Sequence, residues 1–91
     1  MYLEIVTPEA SLVSGEVESV TVPGVNGAFQ MMNNHAAIVS LLHKGKVTFT
    51  GDLTFTEGFE SKFTKEEGKW VLEINSGAME MKDNRVIVLA D

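Results

Sequence analysis

Two histidines, His35 and His43, are the only imidazoles in the chain, and no cysteine is present to help them hold a metal. Their spacing matches no common ligand pair, so a zinc or iron site would have to recruit carboxylates from remote strands. A loop histidine whose ring nitrogen bonds the backbone is the simpler expectation. The serines sit at turns (Ser14, Ser76) or in strand-like stretches (Ser19, Ser40), and none occupies the G-x-S-x-G turn that exposes a nucleophile. Glu16 with Glu18, and Glu57 with Glu60, offer carboxylate pairs for acid and base work. On a half-exposed strand such pairs more commonly form a solvated face. The stretch "GVNG" from Gly24 to Gly27 has the glycines of a phosphate loop, but it lacks a following Lys-Ser or Lys-Thr and a helix N-terminus to receive an anion. No catalytic, cofactor or metal site is therefore expected. Met31, Met32, Met79 and Met81 suit either a core or an adaptable interface, which leaves a binding surface as the functional idea.

The totals fit that idea. A chain of 91 residues with 44% hydrophobic content reads as one globular domain, 1–91, whose thin core would gain from a partner surface. Thirteen acidic residues against seven basic ones give a net charge of -6, so nucleic acid is not an expected partner. The longest apolar run, 36–42, is far too short to span a bilayer, and no apolar signal core opens the chain. Membrane attachment would have to come through another protein.

Alternating apolar and polar residues, broken by glycine-containing turns every eight to twelve positions, predict an all-β sandwich of short, mostly antiparallel strands. Leu3, Ile5 and Val6 form an opening strand that stops at Pro8. The stretch "EVESVTV" then sets Val20 and Val22 on one face and Glu18 on the other, and Pro23 ends that strand because it cannot donate to a ladder. Asn26-Gly27 predicts a hairpin turn with two positive φ values, and "AFQM" is the return strand. From Ala36 to Leu42 only Ser40 is polar, which suits a strand covered on both faces. Residues 51–69, with Leu53, Phe55, Phe59 and Phe63 among charges, read as a two-stranded hairpin-like excursion whose phenylalanines cover the sandwich. "WVLEI" returns to the core, "AMEMK" places Met79 and Met81 on one face, and Asp83-Asn84 reverses the chain into "RVIVLA".

Three segments keep the order and character of a known family. They are "LEIVTPEASLVSGEVESVTVPGVNG", "GAFQMMNNHAAIVSLLHKGKV" and "INSGAMEMKDNRVIVLAD". They resemble the N-terminal β-sandwich domain of the epsilon subunit of F-type ATP synthases, and together cover about three quarters of the chain, far more than any single motif. In place of the family's acidic residue and second glycine stand Ala28 and Gln30, and Asn33-Asn34 replaces its Pro-Gly before the histidine.

The resemblance implies a non-catalytic subunit, with no cofactor and no small-molecule ligand, at the foot of the rotating central stalk. It would tie the gamma subunit to the membrane c-ring and couple proton translocation to ATP synthesis, at the cytoplasmic face of a bacterial inner membrane. The family's gamma-facing positions fall on His35, Ile38, Ser40 and Leu42. Its c-ring-facing positions fall on Asn26, Gly27, Ala28, Asn33 and Asn34. Many members continue past "VLAD" into two helices that restrain ATP hydrolysis, so a short form without that inhibition is expected. The alternative is a free-standing β-sandwich that binds a small ligand, but the aromatic platform it needs is poorly served by Trp70 in a core-like strand and Tyr2 near the terminus.

Overall fold

The computed structural model describes every residue from Met1 to Asp91. Nine strands follow in order: β1 (Tyr2–Val6), β2 (Ser11–Gly24), β3 (Gly27–Met32), β4 (Ile38–Leu42), β5 (Gly45–Phe55), β6 (Phe63–Glu66), β7 (Lys69–Ile74), β8 (Gly77–Lys82) and β9 (Arg85–Ala90). The only helical element is one 3-10 turn at Glu60–Lys62. No helix is long and apolar enough to cross a membrane.

The hydrogen-bonded order is β1-β9-β8-β4-β2-β5-β7-β6, with β3 added to β2 and β1 returning to pair with β2. The long strands β2 and β5 carry the chain from one layer of the sandwich to the other. Residues 11–16 of β2 lie beside β1, whereas 19–24 lie beside β3, and β5 runs along the opposite edge of both halves. At the change-over the β2–β5 register slips between Val17 and Ser19. Strict alternation would put Glu18 on the same face as Val20. The bulge shifts the phase, so Val17, Val20 and Val22 are all buried while Glu18 stays in water.

Opposite this bulge sits Gly51, at φ +152, with Val17 Cα only 2.6 Å from where a Cβ would be. Gly51→Ala would drive a methyl into the β2 backbone. Its expected cost is about 2–4 kcal/mol, read as a lower urea midpoint at unchanged slope.

Pro23 does not end β2. The strand runs on to Gly24, because the last β2–β5 pair is Thr21 with Thr48 and no ladder donor is needed at Pro23. Its carbonyl instead accepts the His43 N–H at 3.0 Å. The β2–β3 hairpin forms as the sequence predicts, but it turns on Val25-Asn26, and of the predicted pair only Gly27 has positive φ, +121. Two positive φ values occur instead at Glu67-Gly68 and at Asp83-Asn84.

Between the layers lie Leu3, Ile5, Val20, Val22, Met31, Phe49, Met79, Met81, Val86 and Val88, all essentially inaccessible to solvent. Residues 51–55 complete β5 against β2 rather than leaving the sheet. After them the chain turns through Thr56–Phe59 and the 3-10 turn into β6, which brings Phe63 back into the core. There its ring meets Phe49 at 5.9 Å and Phe55 at 4.8 Å, and Phe55 in turn meets Trp70 at 4.8 Å.

Candidate docking face

Strands β4, β8, β9 and β1 lie side by side, and their pairing fixes which side chains share the outer face. One row runs Leu41, Ala78, Leu89, Val6, and the next runs Val39, Glu80, Ile87, Glu4. Val39, Leu41 and Leu89 are 72%, 65% and 54% exposed, an arrangement far from the scattered single apolar residues of an ordinary surface. A shallow hollow of about 410 Å³ opens among Val39, Ala78, Glu80, Ile87 and Leu89. Lys82, Arg85 and Tyr2 form a third, polar row, in which the Arg85 guanidinium lies 4.8 Å from the Tyr2 ring.

The run 36–42 is therefore not covered on both faces. Ala36 and Ala37 are exposed and precede the strand, and within β4 burial alternates, with Leu42 at 3% and Leu41 at 65%. Ile38 packs against the core beside Leu42, and the half-buried Ser40 donates its hydroxyl to the Leu41 carbonyl at 3.0 Å. Of the β4 residues that the resemblance implies for gamma, Leu42 is thus closed to a partner and Ile38 and Ser40 share its inner phase. The side chains offered to solvent are Val39 and Leu41. Sequence reasoning passed over both because a strand that is apolar on each face carries no phase of its own. The neighbouring "AMEMK" did carry it: Glu80 must face water, and register pairing places Val39 beside Glu80.

His35 is exposed in the β3–β4 loop, its Nδ1 2.8 Å from the Ala36 carbonyl, and His43 makes the same local contact with the Lys44 carbonyl at 2.7 Å. The c-ring positions divide into two groups. Asn26, Gly27 and Ala28 lie at the β2–β3 turn, where the Val25 N–H bonds the Leu41 carbonyl at 3.0 Å. Asn33 and Asn34 follow the other end of β3, about 20 Å away by strand rise. There the Asn33 side chain accepts a hydrogen bond from the Met1 amino group at 2.5 Å, and the Asn34 N–H donates to Asn84 Oδ1 at 2.8 Å. Asn33 thus fastens the β3–β4 loop to the N-terminus, and Asn34 fastens it to the β8–β9 turn.

The carboxylates singled out in the sequence fall into two exposed groups. Glu16 pairs across the sheet with Asp52, and Glu18 lies beside them on a shallow polar depression. Glu60 accepts the Gly58 N–H at 3.2 Å in the turn after β5. Trp70 is half-buried against Phe55, with the Lys65 ammonium 4.6 Å from its ring.

Nine strands folded into two layers, with one broad apolar outer face, describe a β-sandwich domain. The chain belongs to the family described as ATP synthase, Delta/Epsilon chain, beta-sandwich domain, which matches residues 1–91. It is 34% identical over 91 residues to the ATP synthase epsilon chain of Campylobacter concisus, covering 100% of this chain and 60% of that one. It is 36% identical over 89 residues to the ATP synthase epsilon chain of Chlorobium limicola, covering 98% of this chain and 86% of that one. The chain therefore spans less than two thirds of the Campylobacter relative and most of the Chlorobium one. A cryo-EM structure of the Tetrahymena thermophila mitochondrial ATP synthase central stalk and c-ring contains a chain of the same fold, at TM-score 0.67 and 15% identity, covering 99% of this chain and 62% of that one.

Proposed function

We propose that residues 1–91 act as one non-catalytic unit of the rotor in an F-type ATP synthase, linking gamma to the c-ring so that proton-driven rotation reaches the catalytic head. Gamma docks on the outer face of β4, β8, β9 and β1 through Val39, Leu41 and Leu89, with His35 at its margin and Ile38, Ser40 and Leu42 holding β4 from beneath. The c-ring loops meet the β2–β3 turn at Asn26, Gly27 and Ala28. Asn33 and Asn34 support that contact indirectly, by fixing the far end of β3. The protein is then peripheral, held at the cytoplasmic face of a bacterial inner membrane by its partners.

The observation that carries this reading is the exposed apolar face on a member of this family, with the β2–β3 turn bonded directly to its edge strand at Leu41. Contiguity matters mechanically, because torque passes best between two contacts joined by hydrogen-bonded strands. Co-expression with a bacterial gamma subunit followed by size-exclusion chromatography is expected to give one co-eluting complex. Separate elution at micromolar concentrations would overturn the proposal.

A further inference from the structure

We propose that the free edge of β3 is a self-pairing surface, through which the unassembled chain forms a two-fold dimer by antiparallel addition of β3 to β3 of a second copy. The proposal stands on the edge itself and does not depend on the rotor reading.

β3 pairs only with β2, from Gly27 opposite Gly24 to Met32 opposite Ser19. Gly24 and Gly27 close a two-residue hairpin, so they form a hydrogen-bonded pair, and the alternation that follows aims the backbone of 27, 29 and 31 at β2. Pro23 agrees with this phase: it sits opposite Ala28 and turns its carbonyl the other way, to His43. The N–H and C=O groups of Ala28, Gln30 and Met32 therefore point away from the sheet. Of these only the Met32 carbonyl is used, by the His35 N–H at 3.1 Å.

Sheet edges are normally guarded by charge, proline, a bulge or a covering element. The other outermost strand, β6, carries Lys65 and Glu66. β3 has no such residue, and no Asp, Glu, Lys or Arg occurs anywhere from Ser19 to His43. A second copy with the same net charge of -6 thus meets no local repulsion at this edge.

The sequence of β3 also fits itself. Placing the two-fold axis at Gln30 sets Ala28 opposite Met32 of the second copy, Gln30 opposite Gln30 and Phe29 opposite Met31. Ala28, Gln30 and Met32 are exposed in the monomer, whereas Phe29 is half-buried and Met31 buried, so like environments meet. A primary amide both donates and accepts, so the two Gln30 side chains can bond each other. Such an interface is small, which places the dimer among weak associations.

The test is sedimentation velocity with residue-resolved amide exchange on the isolated chain from ~10 μM to ~1 mM, the range a small interface requires. The parent is expected to shift from monomer to dimer, with the Ala28 and Gln30 amides slowed at least about fivefold at the upper concentration. Gln30→Lys and Gln30→Glu each oppose like charges across the axis and are expected to stay monomeric, while their equimolar mixture dimerises. Both changes are at an exposed side chain, and an unaltered melting temperature confirms folding. A parent that remains monomeric, a Gln30→Lys variant that associates like the parent, or a mixture that does not recover association would each overturn the proposal. So would a dimer lost on Leu41→Asp but kept on Gln30→Lys, since that would place the contact on the apolar face.

Discussion

Leu41→Asp is expected to abolish gamma capture at micromolar concentration while leaving the melting temperature within about 3 °C of the parent. Its neighbour Leu42→Asp is expected to leave little folded protein to test. The two residues are adjacent in β4 and chemically identical, but the pleat sends Leu41 to the outer face and Leu42 to the core. An aspartate at the outer position stays hydrated in the free subunit, then loses its water on docking against an apolar partner. Central contacts of that kind typically cost ~2 kcal/mol or more on truncation, about thirtyfold in Kd, and an unpaired buried charge costs further. At the inner position the carboxylate has no cation or donor beside it, and burial would remove about 4 kcal/mol or more, a large share of a small domain's stability. Val39→Asp should behave as Leu41→Asp. A Leu41→Asp protein that still captured gamma with parental affinity would move the interface off this face.

That contrast also marks how far the sequence could be read. The strand with one polar face was legible, since "AMEMK" alternates, and the Asp83-Asn84 reversal after it needs two left-handed residues, which is what forms. The apolar run before His43 was legible as a strand but not in phase. Its phase is imposed from outside, by pairing Val39 with Glu80 and Leu41 with Ala78. The bulge beside Glu18 was hidden because one extra residue leaves no compositional mark; only the burial of both Val17 and Val20 reveals it. The split of the asparagines could not be seen either. Asn26 and Asn34 are close in sequence, and only the extended geometry of β3 puts them beyond its opposite ends.

The aromatic segment gives the second large effect. Phe63→Ala is expected to destabilise the domain by about 3–5 kcal/mol, lowering the melting temperature by ~15 °C or more. Three phenylalanines, Phe55, Phe59 and Phe63, spread among charges after Leu53 look like an external hairpin in sequence, and a removable one. In the fold Phe63 is 6% exposed and sits edge-on to both Phe49 and Phe55, with interplanar angles of 84° and 65°. Truncation leaves a cavity at the junction of β5, β6 and β7, which paired strands cannot close without shifting their register. Phe59→Ala, at a half-buried ring outside that contact set, should cost about 1–2 kcal/mol. In a double-mutant cycle Phe49 and Phe63 should couple by about 0.5–1.5 kcal/mol. The Trp70 emission spectrum should change on Phe63→Ala, because Phe55 bridges the two rings. A loss below ~1 kcal/mol for Phe63→Ala would show that residues 56–66 lie outside the cooperative core. The predicted loss would instead make this segment the stiff backing of the layer that lies across the core from the docking face, so that load applied at Leu41 and Leu89 is resisted by packing rather than by a loop.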